Sequence, residues 1–537
     1  MITKPFSLIF PDPENIAGQR VDISRETVES LELDYLISLK NTTLSEYFTS
    51  DVDIIRYRQD TVRDMLECPE LSKLLLDILP MLSDITELRR IQSETGVAEN
   101  YLYSITEIEL YIECIEKLKR DFLPLRAKLK SEAFGLMADA VCELAESDYY
   151  KELNKKLDEL TSKVHEVKSI AIGVNLDNEL RPVDAGVISL NPEKFKSGTV
   201  IDKILRLDFK DDDYTCIAPL VPFLKNQSDN QKIALTHAFN NALSDIFKSS
   251  VKSWRNIVRT YILDNTDFLI RIVPEIEFLV KSTKLLRALS QKGLALTYPE
   301  IRPMEEKKCE LYGLYNPCVA MKIDTEMVKN DLIFDEKGMI YVLTGPNRGG
   351  KSVITCALGL IQSMAQLGLP VTADRAVISP VNSIFTHFPT EAEDTIDKGR
   401  LGEECERLNA IFDKISEYSL VLLDESLSST GSYEASYIAS EVLTGFSLAK
   451  CRCLFSTHLH ELSASVPAIN EACGKENGVM IDTLVAGING SERSFEIVRA
   501  VPDGKSYARD IAEKYGLSSE MIRRNVAGAR VTPADKI

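Results

Sequence analysis

The eight residues GPNRGGKS, from Gly345 to Ser352, place glycines, a lysine and a serine at the spacing G-x-x-x-x-G-K-S. An apolar run typical of a strand comes before them, and a helical pattern follows. In such a turn the backbone N–H groups from Asn347 to Lys351 can surround phosphate oxygens, and the positive end of the next helix favours the same anions. The Lys351 ammonium would reach the β- and γ-phosphates, and the Ser352 hydroxyl would coordinate Mg²⁺. The stretch therefore predicts a site for a nucleoside triphosphate and Mg²⁺.

Two further polar groups stand at the ends of apolar, β-rich runs. The run SLVLL ends in Asp424 and Glu425. Asp424 stands where a carboxylate would bind Mg²⁺, and Glu425 is placed to act as a general base towards an attacking water. The run CRCLFSTHLHEL brings His458 to the end of another strand, where its imidazole would sense or hydrogen-bond the γ-phosphate. His460 is interpreted instead as a residue at the start of a helix. Glu425 and His458 are thus the predicted catalytic residues of a triphosphate hydrolase.

These residues can meet only if several strands end at one edge of a sheet. After about residue 300, short β-rich runs alternate with helical segments, as in a sheet that carries helices on both faces. Ligands of such sheets bind beyond the carboxyl ends of the strands. Before residue 300 helical periodicity dominates, and two β-rich runs near residues 168–195 predict a hairpin. The predicted fold is an α/β nucleotide-binding domain at residues 301–537 that follows a mostly α-helical domain at residues 1–300.

The overall composition excludes several classes of protein. The chain has 537 residues, of which 44% are hydrophobic and 27% are charged, as in ordinary globular proteins. No apolar run approaches the roughly 20 residues that a membrane span needs, and no signal peptide is recognisable, which predicts a cytoplasmic protein without a membrane partner. Eleven cysteines without a C-x-x-C pair predict reduced thiols. The net charge of −19 argues against a protein that coats nucleic acid indiscriminately.

The segments TGPNRGGKS, LLDES and STHLHEL together resemble the ATPase domain of the MutS family of DNA mismatch-repair proteins, a branch of the ABC-type ATPases. By motif the resemblance covers about residues 310 to 525, and over residues 1 to 300 it rests on the length and helicity of the family's core and lever helices. It implies an ABC-type P-loop ATPase domain at 301–537, with a helix-turn-helix at about 500–525 and a tail. It also implies a core and lever domain at 1–300 with a short clamp-like element near 168–195.

The same resemblance implies ligands, partners and further site residues. ATP and Mg²⁺ would be the cofactors, the chain would form a homodimer through the ATPase domain, and mismatched or branched DNA would be its partner. In EMVKNDLIF, Met327 would take the place that stacks on adenine, and Asn330 the polar place beside it. The predicted metal ligands are Ser352 and Asp424. The predicted nucleotide-binding residues around the phosphate loop are Gly345, Pro346, Asn347, Arg348, Gly349, Gly350, Lys351, Ser352 and Val353.

Several features depart from the family pattern. Leu401 stands where the family has a serine that touches the γ-phosphate of the partner's nucleotide, so that contact would come from the backbone, from Gly402 or from neither. SLSSTG replaces Gly-Arg-Gly-Thr after the acidic pair. Arg348 replaces a methionine, and its charge would either support phosphate binding or face solvent. The core-like helices begin near residue 25, which leaves no room before them for the family's mismatch-reading domain.

The leading hypothesis is a dimeric Mg²⁺-dependent ATPase that acts on mismatched, branched or otherwise distorted DNA in repair or recombination. The alternative is an ATP-switched scaffold that binds a protein partner through its helical half and has little affinity for DNA. The excess of acidic over basic residues favours the scaffold, whereas both functions would use the ATPase motifs. Salt-dependent binding to branched, mismatched and perfect duplex DNA would discriminate between them.

Overall fold

The structure of the protein is a computed structural model. It describes residues 5–21, 23–40, 42–94, 101–165, 168–179, 181–194, 196–197, 215–216, 267–346, 348–389, 399–489, 492–502, 517, 519 and 521–523.

The chain divides into two compact units. The first comprises Met1–Phe6, Lys73–Leu129 and Phe134–Val273. The second comprises Ser7–Ser72, Lys130–Ala133 and Pro274–Ile537. These units are defined by contacts within the chain, whereas the domains at 1–300 and 301–537 were drawn from motifs and stay a prediction.

Helices dominate the described residues before residue 300 and alternate with strands after it. In chain order they are α1 (Arg25–Ser30), α2 (Leu33–Leu36), α3 (Val52–Glu67), α4 (Pro69–Glu94), α5 (Tyr101–Lys117), α6 (Glu132–Glu146), α7 (Asp148–His165), α8 (Asp267–Arg271), α9 (Val273–Gln291), α10 (Pro317–Lys322), α11 (Lys351–Gln366), α12 (Arg400–Phe412), α13 (Ser432–Ala449) and α14 (His460–Gly474). Local chemistry sets their boundaries, as at α3, where the Asp51 side chain accepts hydrogen bonds from the N–H groups of Asp53 (2.8 Å) and Ile54 (3.1 Å). Asp51 thus pairs donors that the first turn of a helix leaves without a partner.

The first unit contains two small strand pairs among its described residues. β1 (Ser169–Leu176) runs antiparallel to β2 (Pro182–Asn191), which gives the predicted hairpin. β3 (Lys196–Ser197) and β4 (Thr215–Cys216) form a short parallel pair. The clamp-like role of this region stays a prediction.

The second unit holds the remaining strands. In chain order they are β5 (Glu300–Ile301), β6 (Cys309–Leu314), β7 (Asn330–Phe334), β8 (Ile340–Thr344), β9 (Arg375–Ile378), β10 (Ser383–His387), β11 (Ser419–Asp424), β12 (Arg452–Ser456), β13 (Ile481–Asn489) and β14 (Glu492–Arg499). In the described part of the chain six of them form one sheet in the order β10-β11-β12-β8-β13-β14, and the other four form a second sheet in the order β5-β9-β6-β7. The first five strands of the larger sheet are parallel, and β14 is antiparallel to β13.

The central strands of the larger sheet are covered on both faces. Every residue of β8, β11 and β12 is buried, as expected for parallel strands with helices on each side. Val421 and Leu423 belong to a core cluster with residues of α13 and α14. On the other face Leu422 lies against α11, so closely that a Cβ on Gly359 would stand 2.6 Å from its Cδ1 atom. The sheet therefore holds the carboxyl ends of β8, β11 and β12 side by side between rigid helical layers.

Two other sequence predictions concern the chain as a whole. Among the residues that the structure describes, none of the helices combines the length and the apolar character that a membrane span requires. The thiols Cys68, Cys114, Cys142, Cys309, Cys318, Cys356, Cys405, Cys451, Cys453 and Cys473 are free, as predicted.

Candidate nucleotide-binding and hydrolysis site

The predicted phosphate loop lies at the carboxyl end of β8. The strand ends at Thr344, and α11 begins at Lys351. Gly350 precedes the helix with a left-handed φ of 93°, and no side chain among the described residues caps the first turn. The N–H groups of that turn have no carbonyl partner within the helix, and they carry the positive end of its dipole. The predicted strand, loop and helix are therefore present, with an uncapped helix terminus.

Lys351 is buried at the base of this loop, where it is only 4% exposed. Its ammonium donates hydrogen bonds to the carbonyl oxygens of Gly345 and Pro346, both at 3.1 Å. Burial lowers the pKa of Lys351, whereas the nearby carboxylates of Glu425 and Asp424 raise it. The loop carbonyls and the two acids thus stabilise a positive charge inside the crevice.

Asp424 ends β11 and pairs in register with Ser456 of β12. The Ser456 hydroxyl donates a hydrogen bond to Asp424 Oδ1, and the Ser352 hydroxyl lies near the same carboxyl group. Burial raises the pKa of Asp424, and the hydroxyl groups of Ser456 and Ser352 oppose this effect. The two predicted metal ligands, Ser352 and Asp424, are therefore neighbours, and both offer the oxygen atoms that Mg²⁺ prefers.

Glu425 and His458 meet directly in front of the loop. Glu425 Oε1 lies 2.7 Å from His458 Nε2, and His458 Nδ1 lies 3.5 Å from Lys351 Nζ. An ammonium group can only donate and a carboxylate can only accept. The arrangement therefore assigns the proton of a neutral imidazole to Nε2, from which it is donated to Glu425, and leaves the Nδ1 lone pair towards Lys351.

A cavity of about 470 Å³ opens beside these groups. Lys351, Ser352 and Glu425 line it, together with apolar side chains such as Val319 and Ile323. Its volume lies in the range of small-molecule sites, and its lining combines charged groups with an apolar surface. The other predicted site residues that line it are Met327, Asn330, Arg348, Gly349, Gly350 and Val353.

Phe495 lines the same cavity, and the sequence analysis missed it. Its φ of 57° is left-handed, and its Cδ1 atom is 3.7 Å from the place of a Cβ on Gly350. Asn330 holds this part of β14, because Asn330 Oδ1 accepts from the Ile497 N–H (2.6 Å) and Nδ2 donates to the Phe495 carbonyl (3.2 Å). No motif marks Phe495, since its position over the loop depends on a backbone turn within β14.

The remaining predicted residues lie as follows. Asn347 is outside the described residues, as is most of the predicted helix-turn-helix at 500–525. Arg348 is exposed and has a left-handed φ of 59°. Leu401 is partly buried and packs against the core cluster of the sheet. His460 is the first residue of α14, as predicted.

Comparisons with known proteins agree with the resemblance seen in the motifs. Residues 341–528 match the family model for MutS domain V, and residues 50–292 match the model for the MutS2 N-terminal domain. An Endonuclease MutS2 from Thermus thermophilus is 28% identical over 235 residues, which are 44% of this chain and 30% of that protein. A DNA mismatch repair protein MutS from Thermotoga neapolitana is 33% identical over 241 residues, which are 43% of this chain and 29% of that protein.

A further relative matches over a longer stretch of the chain. An Endonuclease MutS2 from Streptococcus agalactiae is 27% identical over 302 residues, which are 56% of this chain and 34% of that protein. The chain thus covers about a third of the length of each of these relatives. The two family models match separate parts of the chain, and they and the relatives show that the chain is similar to MutS and MutS2 proteins.

Proposed function

We propose that this chain binds Mg²⁺-ATP in the crevice beyond β8, β11 and β12 and hydrolyses it to ADP and phosphate. The observation that carries the proposal is the convergence of Lys351, Asp424, Glu425 and His458, which come from three separate segments, beside a cavity that Lys351 and Glu425 line. The match to MutS domain V supports the same function. An ABC-type P-loop fold for 301–537, preceded by a helical core and lever domain, belongs to this proposal.

The residues present suit Mg²⁺-ATP. The uncapped terminus of α11 and the buried ammonium of Lys351 suit phosphate oxygens, and the apolar part of the cavity suits a nucleobase. Ser352 Oγ and the Asp424 carboxylate would hold the metal ion, which when bound neutralises charge that develops on the phosphate oxygens. Met327 remains our candidate for adenine stacking, with Asn330 acting on the neighbouring backbone of β14.

Three side chains of the site would have separate roles in ATP hydrolysis. Lys351 binds the β- and γ-phosphates, and Glu425 accepts the proton of the attacking water. His458 donates its Nε2–H to Glu425 and so holds that carboxylate in one orientation, while its Nδ1 atom lies beside Lys351. His458 therefore links the general base to the phosphate-binding lysine.

The change Glu425→Gln tests the assignment of the base. A glutamine oxygen still accepts the hydrogen bond from His458 but cannot take a proton from water, so the hydrolysis rate should fall by at least about 100-fold while ATP binding persists. Phosphate release measures the rate, and titration with a fluorescent ATP analogue measures binding. Glu441→Gln, on the exposed face of α13, is the matched control. Preserved hydrolysis in Glu425→Gln would contradict the assignment.

We also infer that the chain acts on DNA as a homodimer formed through the nucleotide-binding region. The relatives named for DNA mismatch repair support this inference, and mismatched, branched or distorted duplexes are the proposed ligands. The nuclease activity in the name of the MutS2 relatives is not carried over, because the matches cover only 30% and 34% of those proteins.

One observation favours a second candidate function. The net charge of −19 disfavours extensive contact with phosphate backbones. An ATP-switched scaffold that binds a protein partner would use the same crevice without engaging DNA. The whole-molecule experiment described in the Discussion separates the two functions.

A further inference from the structure

The loop that follows β11 holds two residues with a left-handed backbone. Glu425 has a φ of 47° and Leu427 a φ of 64°, and neither is glycine. A residue with a Cβ is strained in this region, and such a conformation persists only where the surroundings impose it. The direction of the Glu425 side chain depends on this loop. The contacts that hold the loop therefore bear on the proposed general base.

Glu404 of α12 holds the far end of the loop. Its carboxylate oxygen Oε2 accepts a hydrogen bond from the backbone N–H of Leu427. The Leu427 side chain is 1% exposed and packs in the core cluster of the sheet. The carboxylate thus pairs the backbone donor of a left-handed residue, and the packed side chain keeps that residue in place.

His387, at the carboxyl end of β10, holds the middle of the loop. The Ser426 hydroxyl donates to the His387 carbonyl oxygen (3.2 Å) and lies 2.6 Å from His387 Nδ1. The hydroxyl can therefore hydrogen-bond with both the carbonyl oxygen and the ring nitrogen of the same residue. The backbone and the ring of His387 therefore clamp a single hydroxyl group between them.

The burial of the His387 imidazole costs free energy. It is only 2% exposed, and its Nε2 atom has no hydrogen-bond partner among the described residues. A buried polar atom without a partner is costly and calls for an explanation. The clamp on Ser426, one residue after Glu425, provides that explanation.

The near end of the loop is tied to the strand that carries His458. The Glu425 N–H donates to the Ser456 carbonyl at the end of β12 (2.9 Å). Three consecutive residues are thus held by three different elements: β12, β10 and α12. A loop fastened at each residue fixes the backbone from which the Glu425 carboxylate reaches His458.

We propose that Glu404 and His387 are positioning residues for ATP hydrolysis, which fix the strained loop so that the Glu425 carboxylate faces the phosphate site. The inference rests on the proposed ATPase function. Neither residue touches the cavity; each acts through its hydrogen bond to the loop. Their loss should therefore lower the rate of the chemical step and leave ATP binding in place.

The test compares conservative and disruptive variants of the full chain. Glu404→Ala removes the acceptor for the Leu427 N–H, whereas Glu404→Gln keeps an oxygen in the same place. His387→Phe removes the ring nitrogen that pairs with Ser426 but keeps a ring, whereas His387→Asn offers a polar amide group to Ser426. Asn409→Ala, an exposed residue of the same helix as Glu404, is the control. Phosphate release gives kcat and KM, a fluorescent ATP analogue gives Kd, and thermal unfolding reports on folding.

In Glu404→Ala and His387→Phe we expect kcat to fall about 10- to 100-fold, the cost of a small misplacement of a catalytic group. KM and Kd should stay within about twofold, which marks an interaction needed only for the chemical step. Glu404→Gln and His387→Asn should recover most of the lost rate. The inference is overturned if Glu404→Ala and His387→Phe keep the wild-type kcat, if Kd rises as much as kcat falls, or if Glu404→Gln loses as much rate as Glu404→Ala.

The same assay separates this inference from the proposed function. If the wild-type chain hydrolyses ATP and Glu425→Gln does not, a normal rate in Glu404→Ala and His387→Phe overturns only the positioning roles. If the wild-type chain neither binds nor hydrolyses ATP, the function itself is wrong, and the positioning roles are wrong with it.

Discussion

Lys351 and Asp424 show how the crevice tolerates buried charge. Burial lowers the pKa of Lys351 and raises that of Asp424, so each charge is disfavoured by its surroundings. Each is offset by its neighbours: the loop carbonyls and acids for the lysine, and the hydroxyls of Ser456 and Ser352 for the aspartate. Replacing Lys351 or Asp424 would leave the other charge buried with fewer partners. We therefore expect variants of these residues to affect stability as well as activity.

His387 gives a prediction for the dependence of stability on pH. Burial and the nearby positive charge of Arg407 lower its pKa to about 4, and the backbone carbonyls of Glu404 and His387 oppose this only in part. Above the ordinary pKa of about 6.5 the ring is neutral in both the folded and the unfolded chain. As the pH falls from there towards 4, the unfolded chain binds a proton that the folded chain does not. This group alone should then lower the free energy of unfolding by about 3 kcal/mol.

Urea unfolding of the wild type and of His387→Asn between pH 7 and pH 4.5 checks this prediction. The asparagine offers a polar amide group to Ser426 but does not titrate. Any loss of packing in the variant shifts its stability equally at every pH, and the other titrating groups are common to both chains. The wild type should therefore lose stability more steeply than the variant as the pH falls. Parallel profiles would show that His387 titrates normally in the folded chain.

At the level of the elements, the crevice depends on how closely β8 and β13 approach. The two strands run parallel and in register from Ile340 to Thr344. Directly after β8, Gly345 adopts a φ of 145°, and a Cβ there would stand 2.6 Å from the Cβ of Ala486. The chain can leave β8 and enter the phosphate loop at this point only because the residue has no side chain.

Gly345→Ala should therefore disturb the loop. Both the backbone conformation and the contact with β13 oppose the added methyl group, at a cost of about 1–3 kcal/mol, and the affinity for ATP should fall about tenfold or more. Thermal unfolding and titration with a fluorescent ATP analogue measure the two effects. Gly474→Ala at the end of α14 is the control, because an added Cβ meets nothing within 4 Å there. Equal behaviour of the two variants would mean that the loop relaxes around the methyl group.

For the whole molecule, the net charge and the names of the relatives favour different functions. The net charge of −19 disfavours nonspecific binding to nucleic acid, while the family includes proteins named for DNA mismatch repair. The chain covers about a third of the length of those relatives. A DNA ligand would therefore have to be recognised by a local surface and by the shape of the DNA rather than by overall charge.

The discriminating experiment measures DNA binding and the ATPase rate together. We expect branched or mismatched duplexes to bind more tightly than a perfect duplex, to change the ATPase rate, and to lose affinity steeply with added salt because counterions are released from phosphates. Perfect duplex of the same length and base composition is the control. No binding to any of these at low salt would favour the scaffold function.

The local patterns were readable because they depend on contiguous residues. The run before GPNRGGKS is β8, the helix after it is α11, and the two β-rich runs near 168–195 form the hairpin of β1 and β2. A glycine spacing, an apolar period or a turn acts over a few residues, so it survives as a signal in one sequence. The smaller sheet, by contrast, has the strand order β5-β9-β6-β7 and places β9 between strands that come earlier in the chain. No local sequence pattern predicts such a pairing.

The sequence alone thus predicted the resemblance to MutS proteins, the phosphate loop, the acidic pair and the histidine, because each of these segments is short and has its own chemistry. Only the tertiary structure decided which other residues support them. Phe495 lines the cavity, and Glu404 and His387 bind the loop after β11; these placements depend on strand order, a helix contact and left-handed backbone conformations. Hydrogen bonds between residues distant in the chain impose those conformations, and such bonds exist only once the sheet has brought its strand ends together.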